Sequence, residues 1–449
     1  MADEIRDGAS PRRSGGRLSA LIGNQQFAYV VVNVGVNLVF LVRSYVTMRS
    51  LGYADLGLVA LMQAVMLLIG TLQFGFINGG YRLLCEPSAA DAARINNLLY
   101  SVFSVIALVA GLTAALSASL LDGRGAIAVA VLGVLGGLAT LARTWIANQL
   151  IARGELARLN AVTLRSAILS LGVLALIPWS PLTACIGSLA VQPIAFVAEV
   201  LIRDRAARPY ALNFDRALVA RVLAAGFVPF LTGLLVQFNQ LIERWYVAGA
   251  LGVAALGHLY LVLLCVTLFQ LVPTSLEAVF LPRLVRTHAA RDDAQLRRVL
   301  RQMFGIELAY CALACGAVLF AAHPVLALVL PKYVGDLVYV YAVLPGLIAI
   351  TLAAPLAMTF NILLRYRSFL VAYGSASLLV AVVFTVAWIG WLPLTLDGVV
   401  VLRSAALVWT AVALGLGYLV VCRSAPEFRM LGKLSAAGRG IDAHRGRGA

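Results

Sequence analysis

The sequence has 449 residues, 62% of them hydrophobic and 12% charged, where a soluble domain carries about 25% charged residues, so a soluble globular protein is excluded. Its 35 Lys plus Arg against 20 Asp plus Glu give a formal charge of +15, but these cations fall between apolar runs, which argues for a lipid bilayer and against nucleic acid as the partner. The six cysteines are scattered; Cys311 and Cys315 share a helix face with no nearby His, and read as apolar packing rather than metal ligands.

In chain order, a polar tail at 1–26 carries Arg6, Arg12, Arg13 and Arg17. The apolar run behind it is too long for a signal-peptide core, so no cleavage is expected. Twelve segments then approach the roughly 20 apolar residues that a span requires. They are 27–50, 55–80, 97–120, 125–148, 159–179, 182–203, 221–246, 253–280, 302–322, 336–363, 368–391 and 398–422. With the N-terminus inside, the outer loops hold only Arg49, Arg124, Arg244 and Lys332, and Arg43 and Arg403 lie within spans. Every other Lys and Arg falls on the inside, as the positive-inside rule requires of twelve helices with both termini cytoplasmic. Outer connections are short, the largest lying around 323–335, and leave no room for an extracytoplasmic catalytic domain. On the inside, 282–301 reads as an amphipathic surface helix with Leu296, Val299, Leu300 and Met303 on one face and Arg297, Arg298 and Arg301 on the other. The tail 423–449, rich in Gly, Ala and Arg, reads as disordered.

A repeat divides the chain. Leu51-Gly52-Tyr53-Ala54-Asp55-Leu56-Gly57 returns as Leu251-Gly252-Val253-Ala254-Ala255-Leu256-Gly257, each copy at the turn between two apolar runs. The expected fold is therefore an all-α integral membrane protein of about 12 transmembrane helices in two pseudo-symmetric six-helix lobes around a central cavity. The expected boundaries are 27–203 for the first lobe, 204–220 for a cytoplasmic linker and 221–422 for the second lobe.

Neither lysine has the Gly-x4-Gly-Lys setting of a phosphate-cradling loop, so no ATP site and no cofactor are expected. Polar residues inside the spans are costly in hydrocarbon and mark a cavity or a partner. Helix one offers Asn33, Asn37 and Arg43, and helix seven offers Gln237, Gln240, Glu243 and Arg244. The offset of the repeat aligns Asn37 with Gln237 and Arg43 with Glu243, which suggests a polar cavity between the lobes, closed on the outside by Arg43 with Glu243. The competing reading has Arg43, Glu243 and Arg244 snorkelling to the outer interface. Glu277 on helix eight, with Gln270 one face-repeat earlier and Pro273 as a kink, is the candidate for ion coupling; otherwise it neutralises Arg283 or Arg82. Arg82 and Arg283, at the inner ends of helices two and eight, suit a diphosphate because a guanidinium fork matches phosphate oxygens, or else simply anchor the inner face. Arg403 in helix twelve and Arg143 and Arg365 at inner helix ends are lesser candidates.

The run from Arg43 through Arg49-Ser50-Leu51-Gly52-Tyr53-Ala54-Asp55-Leu56-Gly57, with Gln63, Leu72-Gln73-Phe74-Gly75 and Tyr81-Arg82, resembles the start of Wzx-type polysaccharide flippases. These belong to the multidrug/oligosaccharidyl-lipid/polysaccharide exporter superfamily, here MOP. The resemblance covers nearly the whole chain in topology and is specific over the first two helices and their repeat. It implies a transporter and not an enzyme, moving an undecaprenyl-diphosphate-linked glycan from the inner to the outer leaflet of the bacterial plasma membrane for O-antigen, capsule or exopolysaccharide assembly. A polysaccharide polymerase and a chain-length regulator are the protein partners it implies. One departure stands out: no Arg lies deep in helix two or eight, unlike the related lipid II flippases. A multidrug exporter of the same superfamily is the nearest rival, although helices one to five have no acid in their apolar middles. A membrane polymerase or glycosyltransferase is another, weakened by the small outer loops, and a partner protein without transport activity is a third.

Overall fold

The computed structural model describes residues 25–85, 92–120, 124–212, 214–363 and 365–424. The two polar tails therefore lie almost wholly outside the described residues.

Among the described residues all regular secondary structure is helical. The first lobe runs α1 (Gln25–Ser50), α2 (Tyr53–Thr71), α3 (Phe76–Leu84), α4 (Ala92–Leu120), α5 (Arg124–Ala152), α6 (Leu156–Gly172) and α7 (Pro181–Arg203). The second runs α8 (Arg216–Tyr246), α9 (Val253–His258), α10 (Tyr260–Ala289), α11 (Asp293–Gly316), α12 (Ala322–Val329), α13 (Leu337–Ile362), α14 (Tyr366–Trp388) and α15 (Leu396–Ser424). Eleven spans among the described residues are long and apolar enough to cross a bilayer, and the 26-residue α1 precedes them. The protein is thus a multi-pass integral membrane protein, because helices satisfy their own backbone groups in hydrocarbon. The outer and inner ends named below follow the orientation predicted from the cations.

Three elements depart from the sequence reading. The second span is broken: α2 stops at Thr71, Phe74 (φ 48) and Gly75 (φ 90) take left-handed backbone, and α3 restarts at Phe76. The Gln73 side chain closes the restart by accepting from Ile77 N at 3.0 Å. Conversely, α10 runs unbroken through Pro273. The surface helix expected at 282–301 does not exist as such, because α10 continues to Ala289 and α11 begins at Asp293, forming one tall hairpin. Its Leu296, Val299, Leu300 and Met303 are buried in the second lobe's own core with Leu284 and Phe360. The same 3.6-residue apolar period serves a surface helix and a buried helix foot, and here packing decides.

The repeat marks where the lobes meet. A Cβ on Gly57 would lie 1.8 Å from the carbonyl oxygen of Val253, and one on Gly257 would lie 2.0 Å from that of Tyr53. The last glycine of each copy thus packs on the third residue of the other, a reciprocal contact across a pseudo-two-fold axis. Only a residue without a side chain allows backbones this close. Around this crossing one apolar core spans both lobes, with Met48, Leu56 and Met62 on one side and Leu256, Val262 and Val343 on the other. At the opposite end α3 packs on α8, where a Cβ on Gly79 would lie 1.9 Å from Val222 O and one on Gly226 would lie 2.0 Å from Gly75 O. Glycine contacts thus bring the lobes together near both ends, with polar space left between them.

Candidate functional site: polar cavities flanking the lobe interface

The larger of these spaces is a first-lobe cavity of about 400 Å³, lined by Arg43 from α1, Gln63 from α2, Gln73 from the α2–α3 break, Arg143 from α5, Gln192 from α7 and Gln237 from α8 of the other lobe. Arg43 is buried at 7% exposure, and its Nη1 donates to Gln192 Oε1 at 3.0 Å. The Arg43 guanidinium lies 5.6 Å from the Phe40 ring centre, and that of Arg143 lies 5.4 Å from the Phe196 ring centre. These stacked, largely hydrocarbon settings orient the planar groups. The two guanidinium charges repel each other, and none of the described residues lining the cavity is acidic. The cavity therefore presents concentrated positive charge with glutamine amides and with the hydroxyls of Thr140 and Thr144 beside it. Chemically it suits an anion that accepts several hydrogen bonds.

The second lobe is built differently. A cavity of about 100 Å³ is lined by Asn239, Gln240, Glu243, Gln270, Tyr373, Arg403 and Thr410. Arg403 Nη1 meets Glu243 Oε1 at 2.9 Å, with both side chains under 10% exposed. Arg244 is buried alongside, its Nε without a hydrogen-bond partner. Nearer the inner end a cavity of about 280 Å³ is lined by Gln270, Pro273, Glu277, Thr351 and Tyr373. Here Arg403 and Glu243 offset each other's charge, whereas the described lining of the first-lobe cavity includes no acid.

The outer closure expected between Arg43 and Glu243 is not formed. Residues related by the repeat are equivalent positions, and unless they lie on the axis each stays within its own lobe: Arg43 bonds Gln192 and Glu243 bonds Arg403. Nor do these three ionic side chains snorkel, since Arg43, Glu243 and Arg244 are all buried. Gln237 does cross to the Arg43 cavity, and Gln240 faces the second lobe's cavity. Asn37 is half-buried on α1, and the side chain of Asn33 lies outside the described residues. Arg82 and Arg283 are exposed at the inner end, Arg283 over the Phe280 ring at 5.9 Å; they line neither cavity and the structure does not bring them together with Arg43.

The outer end is instead latched by the connection before α13. Tyr53 OH donates to Lys332 O at 2.7 Å and to Asp336 Oδ2 at 3.1 Å, while His258 Nδ1 sits 2.8 Å from Asp336 Oδ1. The Tyr53 and His258 rings stack at 3.7 Å. Tyr333 OH donates to Met48 O at 3.0 Å, and Lys332 Nζ donates to Leu51 O at 2.5 Å. Burial lowers the Lys332 ammonium below its ordinary range. Sequence reasoning passed over these residues because each sits at a loop or helix end, where polar side chains carry no penalty that would flag them. The repeat itself was the available signal, since Tyr53 and His258 lie in and beside its two copies.

No protein-family model matches the chain, and neither does any curated protein sequence. Solved structures do. An inward-facing multidrug resistance MATE family transporter of the MOP superfamily superposes with a TM-score of 0.66 at 13% identity, over 90% of this chain and 99% of that one. The lipid II flippase MurJ in an inward closed conformation gives 0.66 at 14% identity, over 87% and 89%. An outward-facing MATE family transporter gives 0.53 at 16% identity, over 92% and 99%. These neighbours are transporters rather than enzymes, and what they share with this chain is the two-lobed helical fold of MOP-superfamily membrane transporters.

Proposed function

We propose that this chain flips an undecaprenyl-diphosphate-linked oligosaccharide from the inner to the outer leaflet of the bacterial plasma membrane by alternating access. The observation that carries this reading is the acid-free cavity holding Arg43 and Arg143 at the lobe interface. A diphosphate is a fixed double anion with many acceptor oxygens, and it loses its hydration on entering the membrane. Two guanidinium groups replace that water with charge-assisted hydrogen bonds, each contributing about 1.5–3 kcal/mol. The glutamines and threonines around them accept from and donate to sugar hydroxyls, while the polyprenyl chain stays in lipid between the lobes.

In the cycle, the inner contact of α3 with α8 parts to admit the headgroup. It then re-forms as the latch of Tyr53, His258 and Asp336 releases, and the headgroup leaves outward. A cationic drug is disfavoured in this cavity by the same positive charge, which weighs against the exporter reading.

The test uses the full chain in proteoliposomes with a fluorescent undecaprenyl-diphosphate-linked glycan, whose outer-leaflet fraction is read by chemical quenching. Wild type is expected to equilibrate the lipid, and Arg43→Ala and Arg143→Ala to slow it about tenfold or more. Unchanged rates in both variants, or expulsion of cationic dyes without glycolipid movement, would sink the reading.

A further inference from the structure

The second lobe holds an acid that none of the preceding chemistry uses. Glu307, on α11, is fully buried, and both of its carboxylate oxygens lack a hydrogen-bond partner among the described residues. Across the α10–α11 hairpin it interacts electrostatically with Glu277. Glu277 is half-buried and lines the cavity of about 280 Å³. The other titratable groups facing the pair are Cys311 on α11 and Tyr373 on α14. Tyr310, also on α11, is engaged with Leu268 O at 3.1 Å, and α13 contributes the neutral Thr351.

An ionised carboxylate with no donor in an apolar interior is too costly to persist, so the group takes up a proton instead. A second carboxylate within electrostatic reach across the hairpin reinforces this, because the two like charges repel. Glu243 is the internal contrast, since it has a salt-bridge partner in Arg403 at 2.9 Å. We propose that Glu277 and Glu307 form a proton-binding pair in the second lobe, loaded and unloaded through the cavity that Glu277 lines. That cavity shares Gln270 and Tyr373 with the smaller cavity beside Glu243 and Arg403, which gives the proton a polar route toward the lobe interface. The cargo cavity of the first lobe has no acid of its own, so the proton site and the anion site are on separate lobes. This inference does not depend on what the first lobe carries.

The experiment is infrared difference titration of the full chain in lipid, from about pH 5 to about pH 9, on wild type, Glu307→Gln, Glu277→Gln and Tyr373→Phe. Wild type is expected to show a protonated-carboxyl band that disappears as pH rises. Glu307→Gln should remove it, Tyr373→Phe should keep it, and Glu277→Gln should move its midpoint to lower pH by about one unit as a like charge is removed. If Glu307→Gln does not fold, the Glu277→Gln shift still reads the pair. A band that never titrates, one indifferent to both Glu variants, or a midpoint that follows sodium concentration would overturn the proposal. Because no glycolipid is present, these outcomes stand apart from success or failure of the flippase reading.

Discussion

Arg43 shows how a buried cation is kept with no acidic partner among the described residues. Its hydrogen bond to Gln192 and its place over Phe40 orient the guanidinium and leave its charge available to the anion of the proposed cargo. Fork geometry matters as well as charge, because a lysine ammonium is a point charge with stronger hydration. Arg43→Lys is therefore expected to slow glycolipid flipping about tenfold, a loss of about 1.4 kcal/mol, and Gln192→Ala to slow it less while leaving the fold intact. An Arg43→Lys variant that flips at the wild-type rate would leave charge alone as the requirement. Glu243 behaves oppositely: its partner is fixed, so removing it strands Arg403 and Arg244 in the interior. Glu243→Ala should cost about 3–5 kcal/mol, read as a fall in the thermal unfolding midpoint, and Glu243→Leu with Arg403→Met should recover most of it.

Among elements, the glycine crossings decide which end opens. A methyl group on Gly57 or Gly257 meets a backbone carbonyl of the other lobe, which cannot yield as a side-chain tip can. Gly57→Ala and Gly257→Ala should therefore produce the same result, an outer end that stays apart, seen as faster thiol labelling of a cysteine placed at Leu56. Gly79→Ala should instead hold the inner end apart. Different phenotypes for the two outer variants would contradict the pseudo-symmetric crossing. The spans, their order and the repeat were legible in the sequence, because about twenty apolar residues and a repeated skeleton are local signals. What the repeat did was not legible. Sequence offset identifies Arg43 with Glu243 as equivalents, but contact is made by Gly57 with Val253 and by Gly257 with Tyr53, off the register that suggested the ion pair. The break at Phe74 and Gly75 was hidden because the apolar run continues through it. Glu307 was missed because a single acid little more than a turn inside the expected start of its span looks like interface until packing buries it.

For the whole molecule, the lobes touch near both ends of the interface, and in alternating access each of these contacts opens in turn. Alternating access requires that the outer and inner contacts both break once per cycle, so tying either end should stop turnover. Two aromatic contacts offer the ties: Tyr53 with His258 at 3.7 Å at the outer end, and Phe74 with Phe230 at 6.2 Å at the inner end. In a background freed of the six native cysteines, Tyr53→Cys with His258→Cys should form an outer disulfide, and Phe74→Cys with Phe230→Cys an inner one. Each oxidised variant is expected to lose glycolipid flipping by about tenfold, and to regain it on reduction, while the corresponding single-cysteine variants respond to neither treatment. If the oxidised inner tie left flipping at the reduced rate, the lobes would not rock about the arginine cavity, and the headgroup would have to pass through one lobe alone. That path is ill suited to the proposed diphosphate, since in the second lobe Arg403 is already committed to Glu243, whereas the arginine cavity of the first lobe has no acid among its described lining residues.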